Sequence, residues 1–383
     1  MSATKTTYNV GSIGCGSRPI FISNLLHKRH REFNLIAVYD HMESVIEEKK
    51  KSSGGISYYS DLDDFFEEDL DLVVIGSMNY LHYDHLSRAL DKGIKIFCEK
   101  PIVSKEDEVN DLLTTCEKID KSTLGTGFVL RFSPFYRNIK DIIDSGEIGR
   151  VCSVNIQEQL HYGHGAFINQ NWRRHKKLSG GHVVEKGIHI VDLLLWYVGD
   201  VPKKISTLGS CNHWKPSNAL DGETLKKIND DYRLFDKYTV YEKVDPYGDD
   251  KDLEDTIAIN LQFENVTASI QLTTYAPNSK REFNIVGTLG KIEALWETSS
   301  ATIKVTRKGF GRKDKRGSPC ETRTISRTDI GCHGDGDNYI IDGLADMVKK
   351  NKPMKPDFKE ALLSTKVAIL AEKSMENSEV VTF

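Results

Sequence analysis

Through the first third of the chain, short apolar runs alternate with longer stretches whose apolar residues recur every three or four positions. YNVGSI (8–13), NLIAVYD (34–40), DLVVIGS (71–77), IKIFCEK (94–100) and STLGTGF (122–128) are the short runs, and their length and composition predict strands. PIFISNLLHKR, MESVIEEKKK, YLHYDHLSRALDKG and SKEDEVNDLLTTCEKI lie between them with helical periodicity. Near-continuous apolar strands, each followed by a helix, predict βαβ units and a parallel sheet covered on both faces.

After about residue 150 the period falls to two. VCSVNIQEQ, TIAINLQFEN, TASIQLTTYA, REFNIVGTLG, KIEALWE and ATIKVTRK alternate apolar with polar residues and meet at hairpin-like joints. That pattern predicts an antiparallel sheet with one face wet or used for association. The segment 180–197 is the main helix of this half, and DGDNYIIDGLADMVKK with FKEALLSTKVAILAEKSM predicts two closing helices. The expected fold is therefore α/β followed by α+β: a doubly wound parallel sheet over 1–128, then a domain with a large open antiparallel sheet over 129–383. Polar, irregular residues 211–252 read as an inserted loop or lid, and the closing helices start at about 336.

With 383 residues, 39% hydrophobic and 28% charged, there is material for two cores. A net charge of −4 gives no general pull toward nucleic acid or an anionic membrane. Positive charge concentrates between Arg307 and Arg327, where Gly, Ser and Pro favour a solvated loop over a binding patch. The polar N-terminus has no apolar signal core, and Leu193–Val198, the longest clean apolar stretch, is far too short to span a membrane. Seven scattered cysteines form no C-x-x-C pair, which argues against a disulfide framework or thiolate zinc site and for a reduced, cytoplasmic protein.

Candidate chemistry begins at the first strand. Gly14 and Gly16 follow it, with Ser17 and Arg18 opening the next helix, a turn that lets phosphates approach the backbone and a helix N-terminus. Pro19 takes the place of a third glycine. Asp40 closes the second strand where an acid binds ribose hydroxyls and repels a 2′-phosphate, favouring NAD over NADP; the alternative is that it caps the following helix. Two Glu-Lys pairs follow. Glu99 and Lys100 precede Pro101 beyond a strand's carboxyl end, where a fixed ammonium can donate to a developing alkoxide. Glu185 and Lys186 lie in GGHVVEKGIHIVDLL, where Glu185, His189, Asp192 and Trp196 share one helical face that His182 extends. A polar stripe on an apolar helix must meet a partner, a cleft or a ligand. Glu185 one turn before His189 suggests an oriented general base, with a buried structural Glu–His–Asp network as the alternative.

VGSIGCGSR, GSMNYLHYDHLSRALDKGIKIFCEKPI, NWRR, SGGHVVEKGIHIVDLLLWYVGD, EDTIAINLQFEN and HGDGDNYIIDGLADMVK occur in that order. Together they resemble the glucose–fructose oxidoreductase / inositol dehydrogenase (Gfo/Idh/MocA) family, over essentially the whole chain outside 211–252 and 305–330. The E-K-P tripeptide and the D/E-x-G-x-H-x-x-D helix are the most specific parts. The resemblance implies a Rossmann domain binding NAD(P), a domain with an open antiparallel sheet, and a homodimer or homotetramer. It implies that Lys100 holds the reacting hydroxyl and contacts the nicotinamide ribose beside Glu99, with His189 taking the proton from a sugar, glycoside or polyol alcohol. Ser77, Asn79 and His82 match a turn beside the cofactor, with Met78 for the usual proline, and Trp172 with Arg173 matches a pair near the nicotinamide. Glu185 stands for the usual aspartate, and Asp192 matches the acid after the histidine. Lys186 replaces an apolar residue; it either lowers the proton affinity of His189, binds an acidic group of the substrate, or snorkels to water. His161 and His164 form an H-x-x-H without a nearby acid, which points to substrate contacts or loop histidines before a metal. Two further activities fit the resemblance: a glycoside hydrolase that uses NAD transiently for oxidation and elimination, and a non-catalytic sugar or nucleotide sensor.

Overall fold

In a computed structural model the structure describes residues 6–51, 54–224, 226–227, 244–298, 300–308, 320–328 and 332–383. The strands of the first third are β1 (Tyr8–Ile13), β2 (Phe33–Tyr39), β3 (Ser57–Tyr59), β4 (Leu72–Ile75), β5 (Lys95–Cys98) and β6 (Leu124–Thr126). They form one parallel sheet in the order β3-β2-β1-β4-β5-β6. All four residues of β4 are buried, because helices cover both faces. Those helices are α1 (Ser17–Arg29), α2 (Glu43–Lys50), α3 (Leu62–Phe65), α4 (His82–Asp91) and α5 (Glu106–Thr115). Strand order reverses between β1 and β4, so a crevice opens beyond their carboxyl ends. The sequence pattern missed β3, whose three residues are too few for a periodicity to register.

After α6 (Pro134–Asp144) the chain builds a nine-stranded sheet. Its strands are β7 (Val151–His161), β8 (Lys204–Ser210), β9 (Thr256–Gln262), β10 (Thr267–Ala276), β11 (Lys280–Gly287), β12 (Gly290–Glu297), β13 (Ser300–Lys308), β14 (Cys320–Thr328) and β15 (Val381–Thr382). They lie in the order β14-β13-β12-β11-β7-β10-β9-β8-β15. Every pairing is antiparallel except β7 with β10. The exception has a simple cause: β7 inserts between β10 and β11, which run in opposite directions, so it must be parallel to one of them. Burial alternates residue by residue along β9 and β10, leaving one face packed and the other exposed. Between β7 and β8 lie α7 (Tyr162–Asn169), α8 (Lys176–Ser179), a π-helical turn at Val183–Gly187 and α9 (Ile188–Val198); α10 (Gly336–Lys350) and α11 (Phe358–Asn377) close the chain.

Three expectations change. The basic run from Arg307 to Arg327 is not a loop at its ends: Arg307 stands in register with Glu321, and Val305 with Arg323, in the β13–β14 hairpin. Isoleucine, valine and threonine recur through both strands and favour the extended backbone despite the charge. Residues 309–319 lie outside the described residues. The segment 180–197 is not one regular helix. Its first turn is π-helical, which adds a residue to the turn and rotates Glu185 relative to His189. The insert 211–252 is anchored at both described ends: Asp255 accepts the backbone N–H groups of Asn212, His213 and Trp214, and Trp214 and Tyr247 pack with Tyr162 and Ala166. Its residues 225 and 228–243 lie outside the described residues. No helix among the described residues is long and apolar enough to cross a membrane.

Candidate active site

The crevice beyond β1 and β4 is shaped by a glycine. Gly14 has φ +107°, and a Cβ there would stand 2.8 Å from the carbonyl oxygen of Gly76 and 3.0 Å from the nitrogen of Ser77. The turns after β1 and β4 therefore touch through bare backbone. Gly16 caps α1 without any side-chain hydrogen bond, so the first N–H groups of α1 keep their capacity for an anionic ligand. Asp40 is buried at the end of β2, accepting from the backbone nitrogens of Cys15 (2.9 Å) and Met42 (3.1 Å). Burial opposes its charge, but His41 and these two N–H groups hold its carboxyl below the usual range. It is thus a fixed anion beside the glycine turn, and its bond to Met42 also joins it to the start of α2. Arg18 is held by Glu99 and Asp337, each at 2.7 Å, and ties the first sheet to α10.

Glu185 gathers the centre of the site. Its carboxylate accepts from Asn79 Nδ2 and Arg173 Nε, both at 2.7 Å, and its backbone carbonyl accepts from Lys100 Nζ at 2.5 Å. Although burial raises its pKa, Lys100, Arg173 and Asn79 bring it down to about 2. Arg173 stacks on Trp172, with its guanidinium carbon 4.3 Å from the ring centroid. Behind them, the ring of His82 sits between the carbonyls of Pro101 (2.7 Å) and Ser77 (3.1 Å), and Ser77 Oγ meets His85 Nδ1 at 2.9 Å. Residues from the ends of β4 and β5 and from the short helices after β7 are brought to one place.

His189 is only 4% exposed, and its Nδ1 has no hydrogen-bond partner among the described residues. Burial first, then the charges of Lys100, Lys186, His333 and Arg281, hold its pKa well below the usual histidine value. The expected Glu185–His189 pair does not form: the carboxylate is spent on Asn79 and Arg173, and cations surround the histidine, so it is made less basic rather than more. Asp192 departs from the expected stripe as well. Both its oxygens bind Arg131, at 2.8 and 2.7 Å, and one also accepts from Ser364 on α11 at 2.8 Å. It faces the packing between α9 and α11, where an unpaired charge would be costly. His164 N donates to His161 Nδ1 at 3.3 Å, and both rings lose proton affinity through burial and the nearby Lys186 charge.

Two family models cover this architecture. The one described as "Oxidoreductase family, NAD-binding Rossmann fold" matches residues 8–128, and "Oxidoreductase family, C-terminal alpha/beta domain" matches 140–383. The chain belongs to the Gfo/Idh/MocA oxidoreductase family. YteT of Bacillus subtilis, named as a putative oxidoreductase, is 25% identical over 327 residues, 75% of this chain and 76% of that one. Inositol 2-dehydrogenase/D-chiro-inositol 3-dehydrogenase of Lactiplantibacillus plantarum is 29% identical over 143 residues, 37% of this chain and 38% of that one. Scyllo-inositol dehydrogenase from Lactobacillus casei, solved with NAD(H) and scyllo-inositol, superposes with a TM-score of 0.70 at 19% identity, covering 98% of this chain and 99% of that one.

Within this family member, the site holds residues that sequence reasoning passed over. His333 lies with its ring centroid 6.2 Å from that of His189, and its Nδ1 is 2.8 Å from Asp337. Asp337 in turn binds Arg18, so a polar chain runs from the glycine turn to His189. His333, Gly334 and Asp335 all have positive φ, at 51°, 61° and 67°, a conformation costly for the histidine and the aspartate that the fold enforces beside the site. The H-G-D-G-D run was the available signal. Arg281 and Glu158, paired at 2.6 Å, were also missed. Their signal was a charge at an inward position: Arg281 shares its strand face with Phe283 and Ile285.

Proposed function

We propose that this chain is an NAD-dependent dehydrogenase or reductase acting on a carbinol carbon of a sugar, glycoside or polyol. The observation that carries the reading is the unpartnered, buried Nδ1 of His189 beside the cation Lys100. The glycine turn, the uncapped start of α1 and the fixed carboxylate of Asp40 fit a dinucleotide, and that carboxylate supports NAD over NADP. NAD bound there supplies the hydride acceptor. His189, neutral near pH 7, can take the hydroxyl proton on a ring nitrogen that no described protein group occupies. Lys100 donates to the same oxygen and favours its anionic form, while the Glu185 carbonyl fixes the ammonium in place. In the reverse direction the same cations make protonated His189 a strong acid toward a carbonyl oxygen. The inositol dehydrogenase relative supports a polyol or sugar as the substrate class.

The test is incubation with NAD and a panel of inositols, aldoses and glycosides, followed at the NADH absorbance band. His189→Asn is expected to lower kcat by about 10²–10⁴-fold with NADH affinity kept within about threefold. No NADH from any substrate, with cofactor shown bound, refutes the proposal. Aglycone release without net NADH would instead identify oxidation, elimination and return of the hydride.

A further inference from the structure

Among the described residues, five cations cluster between the glycine turn and the reacting end: Arg18, Lys100, Arg173, Lys186 and Arg281. Four carboxylates answer four of them. Arg18 is held by Glu99 and Asp337, Glu185 is shared by Lys100 and Arg173, and Glu158 is held by Arg281 at 2.6 Å. Lys186 is 8% exposed and makes no hydrogen bond or ion pair among the described residues. An ammonium buried without a partner is costly, so an anion supplied from outside the chain would be favoured there. The π-turn that carries it is packed from behind, since a Cβ on Gly187 would stand 2.6 Å from Leu272 of β10. Lys186 sits in the π-turn directly after Glu185, whose carbonyl accepts from Lys100 Nζ, and three residues before His189, so a group that neutralises it stands near the carbinol served by Lys100 and His189.

We propose that Lys186 receives a carboxylate of the substrate, so that the site acts on acidic sugars or polyol acids in preference to their neutral parents. The proposal rests on His189 and Lys100 being the reacting end. Glu158 and Glu185 act on the Lys186 charge but are bonded to Arg281 and to Asn79 and Arg173, so five cations stand against four carboxylates and the net charge of +1 matches one carboxylate. A phosphate, with a charge of about −1.5 to −2, would leave the site over-neutralised.

The experiment is calorimetric titration of the NADH-loaded protein with D-glucuronate, D-galacturonate and D-gluconate against D-glucose, D-galactose and D-glucitol, with glucose 6-phosphate as a separate arm. At least one acid is expected to bind more than tenfold tighter than its neutral parent, and Lys186→Met is expected to remove that gap while leaving NADH affinity unchanged. Equal binding of the neutral parents, a gap that persists in Lys186→Met, no binding by any acid, or tighter binding of the phosphate overturns it. Selective acid binding without NADH formation from NAD refutes the dehydrogenase reading and leaves the carboxylate site standing. Turnover confined to neutral polyols does the reverse.

Discussion

Replacing Lys186 with methionine should stabilise the protein at neutral pH. Burial, helped by Arg281 and Lys100 and opposed by Glu158 and Glu185, brings the Lys186 ammonium from the ordinary 10.5 down to about 8. Each factor of ten in proton affinity corresponds to about 1.4 kcal/mol, so the charged form carries a penalty of about 3 kcal/mol in the folded state. The sign follows from proton counts. Between pH 8 and 10.5 the unfolded chain binds the proton that the folded chain has released, so wild-type stability rises with pH across that window. Below pH 8 the full penalty applies. Methionine keeps most of the length of the side chain and removes the charge, so Lys186→Met should gain about 3 kcal/mol at pH ~7, with the advantage shrinking as the lysine loses its proton. Urea unfolding of both proteins at about pH 7, 8.5 and 10, read by intrinsic fluorescence, measures it. A variant no more stable than wild type at neutral pH, or a difference flat with pH, refutes the assignment of a buried ammonium without a bonded partner.

Asp192→Ala should behave as a structural variant. It strands the buried Arg131 guanidinium, whose nearest remaining carboxylate is Glu360 at 3.8 Å, and should cost about 3–5 kcal/mol in the same unfolding assay while KM of the folded enzyme stays near the wild-type value. A large rise in KM with unchanged stability would move Asp192 back to the substrate. Gly14→Ala should weaken NADH binding by more than about tenfold in a fluorescence titration, because φ +107° costs about 1–2 kcal/mol for an L-residue and the added Cβ meets the Gly76 carbonyl. Unchanged affinity would show that the two turns do not form the cofactor's floor.

The succession of β1, β2, β4, β5 and β6, the glycine turn, the E-K-P tripeptide and the E-K-G-x-H helix were legible in the chain. Each is a local property: a period of hydrophobicity, or residue types fixed by a turn or by a short motif. Sequence also marked Lys186 as out of place, because a charge on an apolar helix is visible without knowing its surroundings. What that charge faces was not visible. Whether Glu185 serves His189 or instead holds Asn79, Lys100 and Arg173 depends on a π-turn that no periodicity announces and on docking of Asn79 and Lys100, 106 and 85 positions away in the chain. The burial of Asp192 against Arg131, the arrival of His333 beside His189 and the parallel run of β7 along β10 depend likewise on how finished elements pack. Sequence set which groups are present and which surfaces are apolar. The tertiary structure decided which charges compensate one another, since that is a matter of distance between segments far apart in the chain, and among the described residues it left Lys186 as a buried cation without a partner.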